Sequence, residues 1–403
     1  SRATSVRRAC SQHCLRATGT KIRGVHAPLH MAIEVDQVRA NTRGCGSVVH
    51  FNNAGASLMP KVVADTYVEY VRQEEMSGGY EVAAARHDEL EKFYESAAIL
   101  LNCDKEEVAF VESATRGWAL AFYSVAFEEG DRIITSAADY GSNFVAYLQA
   151  RDAKGAEIVV VPDDGRGQID MERLRAEVKH PKARMISISH IPTGGGLVNP
   201  AEEIGEIARE HKLIYFLDAC QSVGQMPVDV QKIGCHVLTA TGRKYLRGPR
   251  GTGLLFVRRT MLEQLVPCML DQYGALLVSE QRFKLREDAR RFEMWEYNFA
   301  GKVGLAAAID YALSLGIADI WSRIDMLSSC LRQGLKEIDK VTVTDCGRVL
   351  CGIVTFTLEG KAAAQVKEEL AKQGINVSVS SAASGGSRVW FDRRGLTEVL
   401  RAS

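Results

Sequence analysis

The stretch from 213 to 257 holds the residues best placed to do chemistry. An apolar run, LIYFL, delivers Asp218, followed by Ala219, Cys220 and Gln221. A second run, HVLTA, leads into Thr241-Gly242-Arg243-Lys244 and then the turn-rich RGPRGTG. Lysine normally belongs on solvated surfaces, so a lysine between a strand end and a glycine turn is unusual. Taken singly, Asp218 and Lys244 read as an ordinary strand-end acid and a surface base. Together they have a chemical use. A lysine amine can condense with an aldehyde cofactor, and a carboxylate can hold a pyridine nitrogen protonated. Thr241 and Arg243 would add a hydroxyl and a fixed positive charge for a phosphate.

Such residues need a scaffold that gathers strand ends. Apolar runs at 108–111, 132–135, 157–161, 184–189, 213–217, 236–240 and 253–257 read as buried strands. Between them, 87–101, 115–127, 143–154, 170–178 and 200–211 read as amphipathic helices. Apolar strands separated by helices predict a mostly parallel seven-stranded sheet covered on both faces, an α/β architecture. In such sheets ligands sit at the carboxyl ends of the strands. Long helices follow at 301–316 and 319–339. The pattern then changes to strand (341–345), strand (353–358), helix (361–373) and strand (375–379), which predicts a smaller C-terminal α+β domain. The domain division expected is a leader over 1–33, a large domain over 34–295 and a small one over 296–403. Thr193-Gly194-Gly195-Gly196 also lies between a strand and a helix, but lacks the spacing of a dinucleotide or P-loop cradle and reads as a turn.

Composition excludes several classes of function. The chain has 403 residues, 46% hydrophobic and 25% charged, with 50 basic side chains balancing 50 acidic ones. No net charge and a pI near 7.1 argue against a nucleic-acid partner, whose phosphates attract a basic surface. No apolar run has the roughly 18–20 residues that span a bilayer, so a membrane partner is not expected. Ten scattered cysteines are too dilute for a disulfide scaffold and point to a reducing compartment. The first 33 residues carry six Arg or Lys (Arg2, Arg7, Arg8, Arg16, Lys21 and Arg23) and no acid. They read as a linker or an organellar transit peptide, so the expected location is cytoplasmic or organellar, not secreted.

From about residue 36 onward the motifs resemble the class V aminotransferase group of fold-type I pyridoxal-phosphate enzymes, the group that includes the cysteine desulfurases. FNNAGASLMP, ESATRGW, AADYGSN, SHIPTGGGLVNP, FLDACQSVGQMPVDV and TGRKYLRGPRGTG carry the likeness, in family order. The resemblance implies pyridoxal 5'-phosphate as cofactor and Lys244 as the Schiff-base lysine. It implies Asp218 on the pyridine nitrogen, Gln221 on the phenolic oxygen and Tyr140 stacked on the ring. Ala114, Thr115, Thr241 and Arg243 would hold the phosphate. Arg401, in LRAS, would bind the α-carboxylate of an amino-acid substrate, with Thr193 nearby where many relatives have asparagine. It further implies a homodimer.

The departures bear on the reaction. Desulfurases carry a nucleophilic cysteine shortly before the carboxylate-binding arginine. Here INVSVSSAASGGSRVWFD offers serines and no cysteine, and Cys346 and Cys351 read as core residues. Glu296 stands where some relatives place a threonine for the partner's phosphate, which a carboxylate would repel. These features resemble a C–S lyase subgroup that includes the ergothioneine-pathway lyases. The expectation is β-elimination on a cysteine-derived substrate, releasing pyruvate and ammonia. The alternatives are a cysteine desulfurase or selenocysteine lyase, an aminotransferase or an epimerase on the same scaffold, or a cofactor-binding domain without catalysis.

Overall fold

The apolar runs marked as strands are buried along nearly their whole length, except 157–161, where only Val161 is buried; this is what a sheet covered on both faces requires of all but its edge. The computed structural model describes residues 33–383 and 388–403; the basic leader lies, but for Ile33, outside the described residues. A two-residue strand comes first, β1 (Val49–His50). The seven expected strands follow as β2 (Val108–Val111), β3 (Arg132–Ser136), β4 (Glu157–Val161), β5 (Ala183–Ser189), β6 (Ile214–Asp218), β7 (Val237–Thr241) and β8 (Gly253–Val257). They form one sheet in the order β2-β8-β7-β6-β5-β3-β4. All neighbours are parallel except β8, which runs antiparallel to both β2 and β7. Pairing puts Ser189 of β5 opposite Asp218 of β6, and Asp218 opposite Thr239 of β7. Three strand ends therefore converge on one spot.

Helices cover the sheet as the periodicity predicts. His87–Leu101 buries Leu90, Phe93, Tyr94, Ala97, Ala98 and Leu101, one face of a 3.6-residue repeat, and stops at Asn102 in the left-handed region. The helix Phe299–Leu315 packs against it and against Lys61–Ser77. That last helix, with its follower Gly79–Ala85, had no clear apolar stripe. Lys61–Ser77 buries only Val63 and Tyr70, while Val62, Val68 and Val71 stay exposed. An unforeseen hairpin, β9 (Ala275–Ser279) with β10 (Arg282–Leu285), stands out from the sheet with Leu276, Leu277, Val278 and Phe283 exposed.

A second, antiparallel sheet is built from β11 (Val341–Val343), β12 (Val354–Leu358), β14 (Ser378–Ser381) and β15 (Glu398–Ala402), in the order β11-β12-β15-β14. The strand expected over 375–379 is divided: β13 (Ile375–Asn376) leaves this sheet and pairs in parallel with β1. The helix Ile317–Lys336 packs on β11 and β12, whereas Phe299–Leu315 belongs with the helices of the large sheet. The described residues from Ile33 onward form one compact unit, so the change of pattern near 296 marks no gap in packing.

Candidate active site

A recess at the carboxyl ends of β5, β6 and β7 is lined by Ala114, Thr115, Tyr140, Thr193, Asp218, Gln221, Thr241, Arg243 and Lys244. Nine of the ten residues expected from the sequence thus meet in one place. The tenth, Arg401, joins them through Thr193: its Nη1 donates to the Thr193 hydroxyl at 2.7 Å and to the Thr193 carbonyl at 3.0 Å. Its Nε donates to Ser378 Oγ at 2.9 Å. Among the described residues no partner takes Nη2, which leaves one face of a buried guanidinium for an anion.

Each side chain is placed by its element. Asp218 is the last residue of β6, 7% exposed, and accepts from the backbone N–H of Cys220 at 3.0 Å. Lys244 is 8% exposed, and among the described residues its side-chain amine makes no hydrogen bond. Burial pushes its pKa down, and the cations of Arg243 and Arg401 push the same way against Cys220 and Asp218. A lysine so placed gives up its proton more readily than one in water. Gln221 donates from Nε2 to Ala54 O and to Thr193 Oγ1, both at 3.1 Å, and its buried Oε1 has no partner among the described residues. Thr193 Oγ1 is therefore shared by Arg401 and Gln221.

On the other side, Ser113 caps the helix Ala114–Phe122 by accepting from Arg116 N at 3.1 Å. The helix N-terminus offers backbone N–H groups and a positive dipole end to the recess. Arg243 Nη1 donates to Thr241 Oγ1 at 3.0 Å, placing a cation and a hydroxyl beside that terminus. Gly253 must be glycine, because a Cβ there would lie 2.7 Å from Ala240 O and 3.2 Å from Ala114 N. A buried amine, a strand-end carboxylate, an orphaned amide oxygen and a basic helix terminus fit pyridoxal phosphate.

Gly194, Gly195 and Gly196 serve packing. A Cβ at Gly195 would lie 3.0 Å from the Trp390 ring, and one at Gly196 would meet Ile353 O and Arg332 Nη2 at 2.6 Å. Gly196 N donates to Asp345 Oδ1 at 3.1 Å, and Asp345 pairs with Arg332 at 2.8 Å. The loop that carries Thr193 is thereby clamped against the second sheet. Cys351 is buried with its thiol pushed up to about 12 by burial, and Cys346 Sγ donates to Gly167 O at 3.5 Å, as core roles require.

The family model "Aminotransferase class-V" matches residues 49–403. The chain belongs to this family. A probable cysteine desulfurase of Methanothermobacter thermautotrophicus is 28% identical over 313 residues, covering 77% of this chain and 78% of the relative. A cysteine desulfurase of Haloferax volcanii is 27% identical over 376 residues, 88% of this chain and 84% of the relative. Among solved structures, the apo cysteine desulfurase of Thermococcus onnurineus NA1 superposes with a TM-score of 0.84 at 25% identity, covering 93% of both chains. The fold expected from the resemblance is therefore the fold found.

Sequence reasoning missed four contributors. Ser378 orients Arg401, Asp345 anchors the Thr193 loop, and Asn143 and Asp139 lie behind Asp218. Asp139 and Asn143 flank Tyr140 in AADYGSN, and a polar cluster at a strand end was the available signal.

Proposed function

We propose that the chain is a pyridoxal-phosphate enzyme that breaks the C–S bond of a cysteine-derived amino acid by β-elimination. Names of relatives support C–S chemistry on cysteine. The observation that carries the finer reading is the kind of thiol in the recess. Cys220 is the only cysteine lining it among the described residues, and it lies beside Asp218, where loss of solvent and the carboxylate push its pKa up. A thiol held protonated is a poor acceptor for sulfur.

When bound, the cofactor supplies an aldehyde for the substrate amine and a ring that accepts an electron pair from Cα. The chain's residues do the rest. Arg401 Nη2 takes the α-carboxylate in a charge-assisted bond, and Thr193 and Ser378 hold the guanidinium in plane. Lys244, with its lowered pKa, removes the Cα proton. Asp218 keeps the pyridine nitrogen protonated, and Arg243, Thr241 and the helix N-terminus fix the phosphate. Sulfur departs with its own electron pair, and the remaining unsaturated amine hydrolyses to pyruvate and ammonia. The exposed apolar hairpin β9–β10 supports a homodimer; sedimentation of the purified chain tests it.

The deciding experiment incubates the loaded protein with cysteine, cystine and S-substituted cysteines and measures pyruvate. Stoichiometric pyruvate is expected from at least one. Alanine with a protein-bound persulfide would instead assign a cysteine desulfurase, the second reading, which the names of the relatives favour.

A further inference from the structure

The residues that line the recess stand on a hidden layer of polar side chains. Asp139, two residues before the helix Gly141–Lys154 that follows β3, is fully buried. Its Oδ1 accepts from Tyr140 N at 2.7 Å, Ser189 Oγ at 2.7 Å and Asn143 Nδ2 at 3.1 Å. Its Oδ2 accepts from Thr135 Oγ1 at 3.0 Å and Tyr147 Oη at 2.5 Å. Among the described residues no cation pairs with it. A buried carboxylate without a cation is costly and persists where several donors hold it.

A brace between β3, β5 and the helix would account for Thr135, Tyr147 and Ser189. It does not account for the other two donors. Tyr140 N belongs to the residue whose ring lines the recess. Asn143 Nδ2 forks, reaching Asp218 Oδ2 at 3.4 Å as well as Asp139. One amide thus bridges two carboxylates, and the second is the strand-end Asp218.

We propose that Asp139 is a positioning residue for the cofactor end of the site. Through Asn143 it fixes the Asp218 carboxylate, and through the Tyr140 backbone it fixes the ring. The inference rests on the pyridoxal-phosphate reading above. The charged and titratable groups facing this pair are Tyr147 on the same helix, and Cys220, Lys244, Arg243 and Arg401 around the recess. Any titration therefore belongs to the cluster, and only the difference between variant and parent is informative.

The test uses Asp139→Asn and Asn143→Ala in the full chain loaded with pyridoxal phosphate. Three quantities are read: cofactor stoichiometry after alkaline release, the pH midpoint of the visible absorption band without substrate, and turnover. Asp139→Asn replaces one of the two oxygens that accept from five donors by an amide, so its midpoint should shift by about half a unit or more. Asn143→Ala takes a donor from Asp218 and should move the midpoint upward. Both variants should load cofactor and lose at least about tenfold in turnover. A brace alone would lower the melting temperature and leave the midpoint in place. If Asp139→Asn does not fold, Asn143→Ala decides alone. Loaded variants with the parent's midpoint and turnover would overturn the positioning role and leave the function reading standing. A parent that takes up no pyridoxal phosphate overturns both.

Discussion

Replacing Thr193 by valine keeps the side-chain shape and removes one oxygen on which two functional residues depend. Arg401 Nη1 donates to that oxygen at 2.7 Å and Gln221 Nε2 at 3.1 Å. A hydrogen bond from a charged group contributes about 1.5–3 kcal/mol and a neutral one about 1. Arg401 keeps the Thr193 carbonyl at 3.0 Å, so the lower end applies to its share. The two losses together come to about 2–3 kcal/mol, or roughly 30- to 140-fold in kcat/KM at about 1.4 kcal/mol per decade. Most of it should appear in KM, because a loosened guanidinium binds the carboxylate equally poorly before and during reaction. Pyruvate production followed through a coupled reductase gives both constants. Thr193→Asn, which still offers an acceptor, should stay within several fold of the parent. A valine variant within twofold of the parent, or equal losses for valine and asparagine, would refute the shared-oxygen argument.

Borohydride reduction of the loaded protein should place the pyridoxyl label on the Lys244 peptide, and Lys244→Ala should lose label and visible band together; a label on another lysine refutes the assignment. Asp218→Asn should retain cofactor but lose several kcal/mol of transition-state stabilisation, a thousandfold or more in rate, so near-normal turnover would discard the electron-sink role. Cys220→Ala and Cys346→Ser should keep pyruvate release within a few fold, and a trapped persulfide on either residue would reassign the reaction. His190 and His236 are held neutral by burial, each with its pKa pushed down to about 4. The unfolded chain binds more protons between that value and about 6.5, so stability should be lost as pH falls through this window, by up to about 3 kcal/mol per histidine. Urea midpoints across the window check this, and a flat profile contradicts it.

The large sheet was legible because strands buried on both faces read as unbroken apolar runs, and their ends named Asp218, Thr241 and Lys244 directly. Arg401 was legible only through resemblance. Its neighbours come from β12 and β14, and its key contact, Thr193, lies 208 positions away. No local pattern encodes such a distance. Asp139 went unnoticed because an acid before a helix reads as a solvated cap until its burial is seen. The hairpin β9–β10 lacks the in-out alternation of a strand with one buried face, since both its faces carry exposed apolar residues. The glycines at 194–196 read only as a turn, while their neighbours turn out to be Trp390 and Arg332 from the second sheet's side.

The parts of the site are made at different times. Ala114 through Gly253 supply the proposed phosphate cradle, the lysine and the strand-end acid from one continuous stretch. Arg401 and Ser403 emerge from the ribosome after that stretch, and they reach back to Thr193 and, across 350 positions, to Asn53. Contacts of such sequence separation form late in folding. A nascent chain can therefore assemble the proposed cofactor cradle before it owns the proposed carboxylate clamp. Any form of the chain that binds cofactor at that stage is stabilised by mass action before the second sheet closes.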